Sequence, residues 1–256
     1  MNRITQLFQE KKHNVLSIYY TAGYPGLGDT VDIAEALENA GADMLEIGFP
    51  YSDPVADGPV IQASSKRALD QGMDLNLLFD QLSELRKRVT VPVLLMGYVN
   101  VILQYGVARF CKACAAAGID GCIVPDLPMT EYETLYKDLF LENGLSNIFL
   151  VTPQTSIERI HKLDSLSNGF IYLVSSSATT GQHLQVSDVT SNYFARIAAM
   201  GLKNPTMIGF GISSREAFDN ACKYANGAII GSAFVKALEG GSLQENVRAF
   251  MNKFSK

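Results

Sequence analysis

Eight short apolar runs recur along this chain, each separated from the next by a segment with helical spacing. The runs are Val15–Tyr20, Met44–Ile47, Val91–Met96, Cys122–Val124, Ile148–Val151, Phe170–Val174, Thr206–Phe210 and Ala228–Ile230. They are apolar on both faces, so each must be covered on both faces, and the usual cover for such strands is the crossover helices of a parallel sheet. The intervening segments supply those helices. Asp29 is positioned to cap one whose Ile33, Ala34 and Leu37 share a face, with Gly41 as its stop. Leu78, Leu82, Leu85 and Val89 make a second stripe, and Tyr132, Leu135, Tyr136 and Leu139 a third.

Eight strand–helix units in 256 residues is the arithmetic of a (β/α)8 TIM barrel. A doubly wound α/β sheet is the alternative. It more often carries a glycine fingerprint after its first strand, and Thr21-Ala22-Gly23-Tyr24-Pro25-Gly26 is not one. No compositional break marks a linker, so residues 1–256 read as a single TIM-barrel domain. An extra N-terminal helix around Ile4, Leu7 and Phe8 is expected to cover the bottom of the barrel, and the last helix, over 243–254, to pack outside it.

One strand breaks the apolar rule. Leu45-Glu46-Ile47-Gly48 carries a carboxylate toward its end, and the stiff loop Phe49-Pro50-Tyr51-Ser52-Asp53-Pro54-Val55-Ala56-Asp57-Gly58-Pro59 carries two more. A carboxylate within a buried strand is costly unless the site uses it. The prolines and glycine hold the loop in one shape, which keeps the acids in fixed relative positions. Acid/base chemistry is the expectation.

A formal net charge of -5 argues against nucleic acid or an anionic membrane as the main partner. No apolar run is long enough to span a bilayer, and the first residues turn into a charged helix without the apolar stretch of a signal peptide. A cytoplasmic protein is expected. Cys111-x-x-Cys114 sits inside an alanine-rich helical pattern with no second ligand pair nearby, so Cys111, Cys114, Cys122 and Cys222 read as reduced cysteines and not as a metal or redox site. His13, His161 and His183 are scattered, and no metal is expected.

Glycine-bearing turns follow the last three predicted strands: Thr180-Gly181, Gly209-Phe210-Gly211-Ile212-Ser213 and Gly231-Ser232-Ala233. Loops after the seventh and eighth strands of such barrels often bind phosphate through backbone N–H groups and a helix start. Ser232 can add a hydroxyl. No Lys or Arg stands in these turns, so neutral donors are expected to hold the anion.

These residues together resemble the tryptophan synthase alpha chain family over essentially the whole length. The likeness is carried by the 45–62 segment, by Met96-Gly97-Tyr98 with Asn100, by Val124-Pro125-Asp126-Leu127-Pro128, by Gly169-Phe170-Ile171-Tyr172, and by Thr180-Gly181 and Gly211-Ile212-Ser213. The resemblance implies a carbon–carbon lyase that splits indole-3-glycerol phosphate into indole and glyceraldehyde 3-phosphate. It implies no cofactor in this chain, and a beta-chain partner that holds pyridoxal phosphate and receives the indole, two alpha chains with two beta. By resemblance, Glu46 and Asp57 are the catalytic pair. Tyr19, Tyr172, Thr180, Gly181, Gly211, Gly231 and Ser232 match substrate-binding positions, and Pro50, Asp53 and Asp126 match positions tied to loop ordering or beta-chain contact. Burial should raise the Glu46 pKa toward use as an acid, while Asp57 in its polar loop should stay ionised.

The chain departs from the family pattern at Tyr51, where phenylalanine is usual, at Val101, where proline is frequent, and at Ala178, where glycine is usual. The last falls in a polar stretch, 175–188, that reads as a lid over phosphate. Two other readings stand beside the lyase. A sugar-phosphate epimerase or aldolase would want metal ligands or a Schiff-base lysine, and Gly169–Val174 holds no lysine. A non-catalytic regulator of a beta chain would not need both acids.

Overall fold

A computed structural model describes residues 2–174, 188–209 and 211–254, with the backbone alone described at 188–190. Eight strands lie parallel and close into a barrel in sequence order: β1 (Val15–Thr21), β2 (Met44–Gly48), β3 (Val93–Met96), β4 (Gly121–Ile123), β5 (Ser146–Val151), β6 (Ile171–Val174), β7 (Thr206–Gly209) and β8 (Gly227–Ile230). Closure is direct: Ser17 of β1 pairs with Met44 of β2 on one side and with Ile229 of β8 on the other. Each predicted run holds a strand, with ends displaced by one or two residues. Phe210 lies outside the described residues.

Alternation along the strands splits the apolar residues into two sets. Val15, Met44, Leu94, Ile148 and Met207 fill the barrel interior. Ile18, Leu45, Ile47, Leu95 and Ile208 face the surrounding helices. Both faces of each strand are therefore dry, which is why the strands read as continuous apolar runs. The same parity sets the direction of Glu46: with Leu45 and Ile47 turned to the helices, Glu46 shares the inward side with Met44.

The bottom is sealed as expected. Helix Arg3–Glu10 inserts Ile4 into the interior cluster, and the Phe8 ring lies 6.2 Å from that of Phe170. Asn2 caps this helix by accepting from the Ile4 N–H at 2.9 Å. Buried Asp120 accepts from Arg3 at 3.1 Å, from Arg86 at 2.6 Å and from the Val93 N–H at 2.9 Å. A buried carboxylate with this many donors serves structure.

Two helix expectations need correction. Asp29 precedes helix Thr30–Asn39, but its side chain makes no cap bond there; it accepts instead from the Gly26 N–H at 2.9 Å, because Asp29 is itself in a helical conformation and its carboxylate turns back toward the preceding loop. The stripe of Tyr132, Leu135, Tyr136 and Leu139 fails at Leu135, which is 64% exposed. Residues Tyr132–Tyr136 form a π-turn, so the extra residue per turn rotates Leu135 outward, and Phe140 takes the buried place below Tyr132. The stripe Leu78, Leu82, Leu85 and Val89 is buried throughout, though it spans two helices, Leu75–Leu82 and Leu85–Arg88.

Candidate active site

Glu46 lies in the middle of β2, in register with Tyr19 of β1 and Leu94 of β3. No part of it reaches solvent. Its Oε1 accepts from the Ser17 hydroxyl at 3.0 Å, and its Oε2 is buried with no partner. The contrast with Asp120 is direct: one buried acid is saturated with donors and the other has a single neutral one. Burial pushes the Glu46 carboxyl up to about 8, and the Ser17 bond offsets this only in part. Glu46 is therefore protonated at neutral pH and has one oxygen free to deliver or receive a proton.

Asp57 comes from the loop after β2. Its N–H donates to the Pro54 carbonyl at 3.0 Å, and its own carbonyl accepts from Gln62 Nε2 at 2.8 Å. Gln62 belongs to helix Pro59–Asp70, which has Pro59 in its first turn, where the missing N–H costs nothing. The acid is thus held by the helix that follows it. Burial pushes its carboxyl up to about 6, partly offset by a hydrogen bond from Tyr98 at 3.3 Å. The loop is less polar around this group than its sequence suggests, yet Asp57 is still mostly ionised at pH 7.

The two acids converge on Tyr172, which stands within β6. Its hydroxyl is raised well above the ordinary tyrosine range, first by burial and then by Glu46 and Asp57, with Tyr19 a smaller influence. Tyr19 is likewise raised by burial first, then by Asp57. Glycine makes room for both rings: a Cβ at Gly48 would overlap the Tyr19 hydroxyl, and one at Gly209 would overlap that of Tyr172.

A cavity of about 340 Å³ opens above this level. Tyr19, Asp57, Met96 and Tyr172 line one part of it, and Gly211, Ser213, Gly231, Ser232 and Ala233 line another. Gly211 has φ +76, a left-handed backbone that suits glycine. Ser232 opens helix Ser232–Ala237, whose first N–H groups have no partner within the helix. Asp57 and the glycine and serine turns therefore share one chamber, whereas Glu46 does not line it and lies buried beside Tyr19, which does. Thr180, Gly181 and Ala178, with the rest of 175–187, lie outside the described residues.

Local sequence reading missed three groups. Lys236 and Lys253 line the same cavity, and among the described residues neither makes an ion pair. Two cations thus line the cavity beside the neutral turns, one from helix Ser232–Ala237 and one from near the C-terminal end. Tyr98 was read only as part of a motif, but it contacts Asp57 directly. No local signal marks any of the three.

Pro50 is buried and Asp53 exposed, with the Asp53 carboxylate accepting from Ser52 at 2.5 Å. Asp126 accepts from the Val99 N–H at 2.9 Å, so it caps helix Val99–Tyr105 from the next loop along. Cys111 and Cys114 are buried in helix Val107–Ala117, and burial pushes the Cys111 thiol up to about 12. No helix among the described residues is long and apolar enough to cross a membrane.

Comparison with known proteins agrees with this geometry. A family model described as "Tryptophan synthase alpha chain" matches residues 5–255. The tryptophan synthase alpha chain of Flavobacterium psychrophilum is 55% identical over 254 residues, covering 99% of this chain and 98% of that one. That of Flavobacterium johnsoniae is 56% identical over 250 residues, covering 96% and 98%. Among solved structures, tryptophan synthase subunit alpha from Legionella pneumophila superposes with a TM-score of 0.90 at 33% identity, covering 99% of this chain and 97% of that one. A chain of aminoacrylate-bound tryptophan synthase from M. tuberculosis gives 0.87 at 30% identity, covering 99% and 98%.

Proposed function

This chain belongs to the tryptophan synthase alpha chain family, whose reaction is cleavage of indole-3-glycerol phosphate in tryptophan biosynthesis, and from that premise we propose that Glu46 and Asp57 are the two groups that perform it. The bond to be broken joins indole C3 to the glycerol side chain. Protonated Glu46 delivers its proton to C3, so that the ring can leave as neutral indole. Ionised Asp57 accepts the ring N–H and stabilises the positive charge that spreads over the indole. The Glu46 carboxylate then takes the proton of the side-chain hydroxyl as glyceraldehyde 3-phosphate forms. The protons balance, and Glu46 ends as it began. The observation that carries this reading is the unequal setting of the two acids: Glu46 is wholly buried with one hydroxyl donor, which pushes it up to about 8, while Asp57 lines the cavity with a Tyr98 donor and is pushed up only to about 6, so one is neutral and the other charged at the same pH.

That pairing has a signature. The competent form needs Asp57 without its proton and Glu46 with one. kcat/KM should therefore rise through about pH 6 and fall through about pH 8, giving a bell with its top near neutrality. A flat profile from pH 5 to 9 in indole release would remove both assignments.

Tyr19 and Tyr172 flank the indole in this reading, and the phosphate lies against Gly211, Gly231 and Ser232, with Thr180 and Gly181 adding to it by family likeness. Lys236 and Lys253 supply charge from the cavity lining. Both are exposed, so their effect is modest and screened by salt. Lys236→Met with Lys253→Met should weaken binding of glycerol 3-phosphate by about 3–10-fold at low salt, and by less at 0.5 M salt, with kcat little changed. Equal loss at both ionic strengths would point to damaged packing.

The family's alpha chain needs no cofactor of its own. We further infer a beta-chain partner holding pyridoxal phosphate, in a complex of two alpha and two beta chains working in the cytoplasm. The loop that bears Asp57 supports this, since Val55 on it is apolar and 81% exposed beside exposed Asp53. We read residues 1–256 as one functional unit, because the ring of strands joins β1 to β8.

A further inference from the structure

We propose that Tyr98 is a positioning residue for Asp57: its hydroxyl ties the carboxylate to the backbone of the acid's own loop and sets the direction in which that carboxylate faces the cavity. The inference rests on the assignment of Asp57 above and adds the group that acts through it.

Tyr98 directly precedes helix Val99–Tyr105, in an extended conformation that turns its ring toward the loop after β2. It is 7% exposed, so its hydroxyl needs partners inside the protein. The partners are adjacent residues of that loop. The Ala56 N–H donates to the Tyr98 oxygen at 3.1 Å, and the Tyr98 O–H donates to Asp57 Oδ2 at 3.3 Å. One hydroxyl thus accepts from the peptide before the acid and donates to the acid itself. The Ala56 bond also fixes where the hydroxyl proton points, because one lone-pair direction is taken.

The ring is held in turn. Tyr51 packs on it with centroids 5.1 Å apart and planes tilted by 34°. Tyr51 has its own anchor, accepting from Asn100 Nδ2 at 3.3 Å. That bond ties the loop after β2 to the helix after β3. Asp126 closes the set by capping the same helix from the loop after β4. Three successive barrel loops therefore meet at Tyr98.

The charged and titratable groups around Asp57 are few. Tyr19 faces it from β1, Tyr172 from β6 and Tyr98 from the loop after β3, while Lys236 and Lys253 line the same cavity. Glu46 on β2 shares its Tyr19 and Tyr172 neighbours. Among the described residues, Tyr98 is the side chain that donates a hydrogen bond to the Asp57 carboxylate. A donor to the ionised form favours ionisation.

The test is Tyr98→Phe, which keeps the ring and its contact with Tyr51 and removes only the hydroxyl. The acid limb of kcat/KM should move up by about half to one pH unit, so that activity at pH 6 falls about 3–10-fold while activity near pH 7.5 falls less. Site-specific difluorotyrosine at position 98, a stronger donor, should move the limb the other way. Asp57→Asn provides the reference. If that variant keeps the acid limb, the assignment of Asp57 is wrong. If it loses the limb but neither change at Tyr98 moves it, the Tyr98 proposal alone is overturned. A loss in Tyr98→Phe that is uniform across pH would likewise overturn it, because that pattern reports damaged structure.

Discussion

Glu46→Gln is expected to lower indole release by about 10³-fold or more, since a positioned general acid/base contributes roughly 10²–10⁴-fold and this one acts twice in the cycle. Glutamine has nearly the same shape and cannot carry the proton. Its amide still bonds Ser17, so the barrel should close as before. Stability should move in the opposite direction. The folded carboxyl keeps its proton up to about pH 8, whereas an ordinary glutamate loses it near 4.5. Between these values folding must take up a proton, so this group's contribution to stability falls as pH rises and is most unfavourable above pH 8. The variant should therefore be more stable than the native chain by about 4 kcal/mol at pH 8, and nearly equal to it near pH 4. Denaturant titrations at the two pH values, beside an indole assay, check both halves. Near-native turnover would end the proposed role, and an equal stability difference at both pH values would mean that the carboxyl is not held neutral.

The second large effect is expected at Asp57→Asn. The amide oxygen still accepts from Tyr98, and the loop keeps its bonds from Gln62 and to Pro54, so binding of glycerol 3-phosphate should stay within about threefold of native. What disappears is the negative charge facing the indole N–H. In a water-poor site such a charge stabilises a developing cation far better than a neutral dipole, and kcat should fall by about 10²–10³-fold. The residual activity should no longer rise through pH 6, because the group that titrates there is gone. A large rise in KM with kcat preserved would show that Asp57 binds substrate and takes no part in bond breaking.

The fold was legible because barrel strands are covered on both sides. Each left an apolar run in the sequence, and the runs could be counted. Glu46 was legible for the complementary reason: a lone carboxylate in such a run stands out against its surroundings. What failed was local detail. Leu135 has helical spacing with Tyr132 and Leu139, and a π-turn, which no spacing rule anticipates, rotated it outward. Asp29 is a good capping residue type, but its backbone conformation sent the carboxylate to Gly26.

The sequence by itself determined the ring of eight strands and the family, and singled out the two acids proposed to carry the chemistry, since each depends on periodicity or on a contiguous motif. Only the tertiary structure decided the rest. It brought Tyr98 onto Asp57 across 41 positions of chain and set Lys236 and Lys253 in the wall of the same cavity as Asp57. It also left one oxygen of Glu46 dry and unpartnered. These outcomes follow from closing the barrel, which puts distant loops side by side and excludes water from between them. Proton affinity depends on that proximity and dryness, and neither is written in the spacing of residues along the chain.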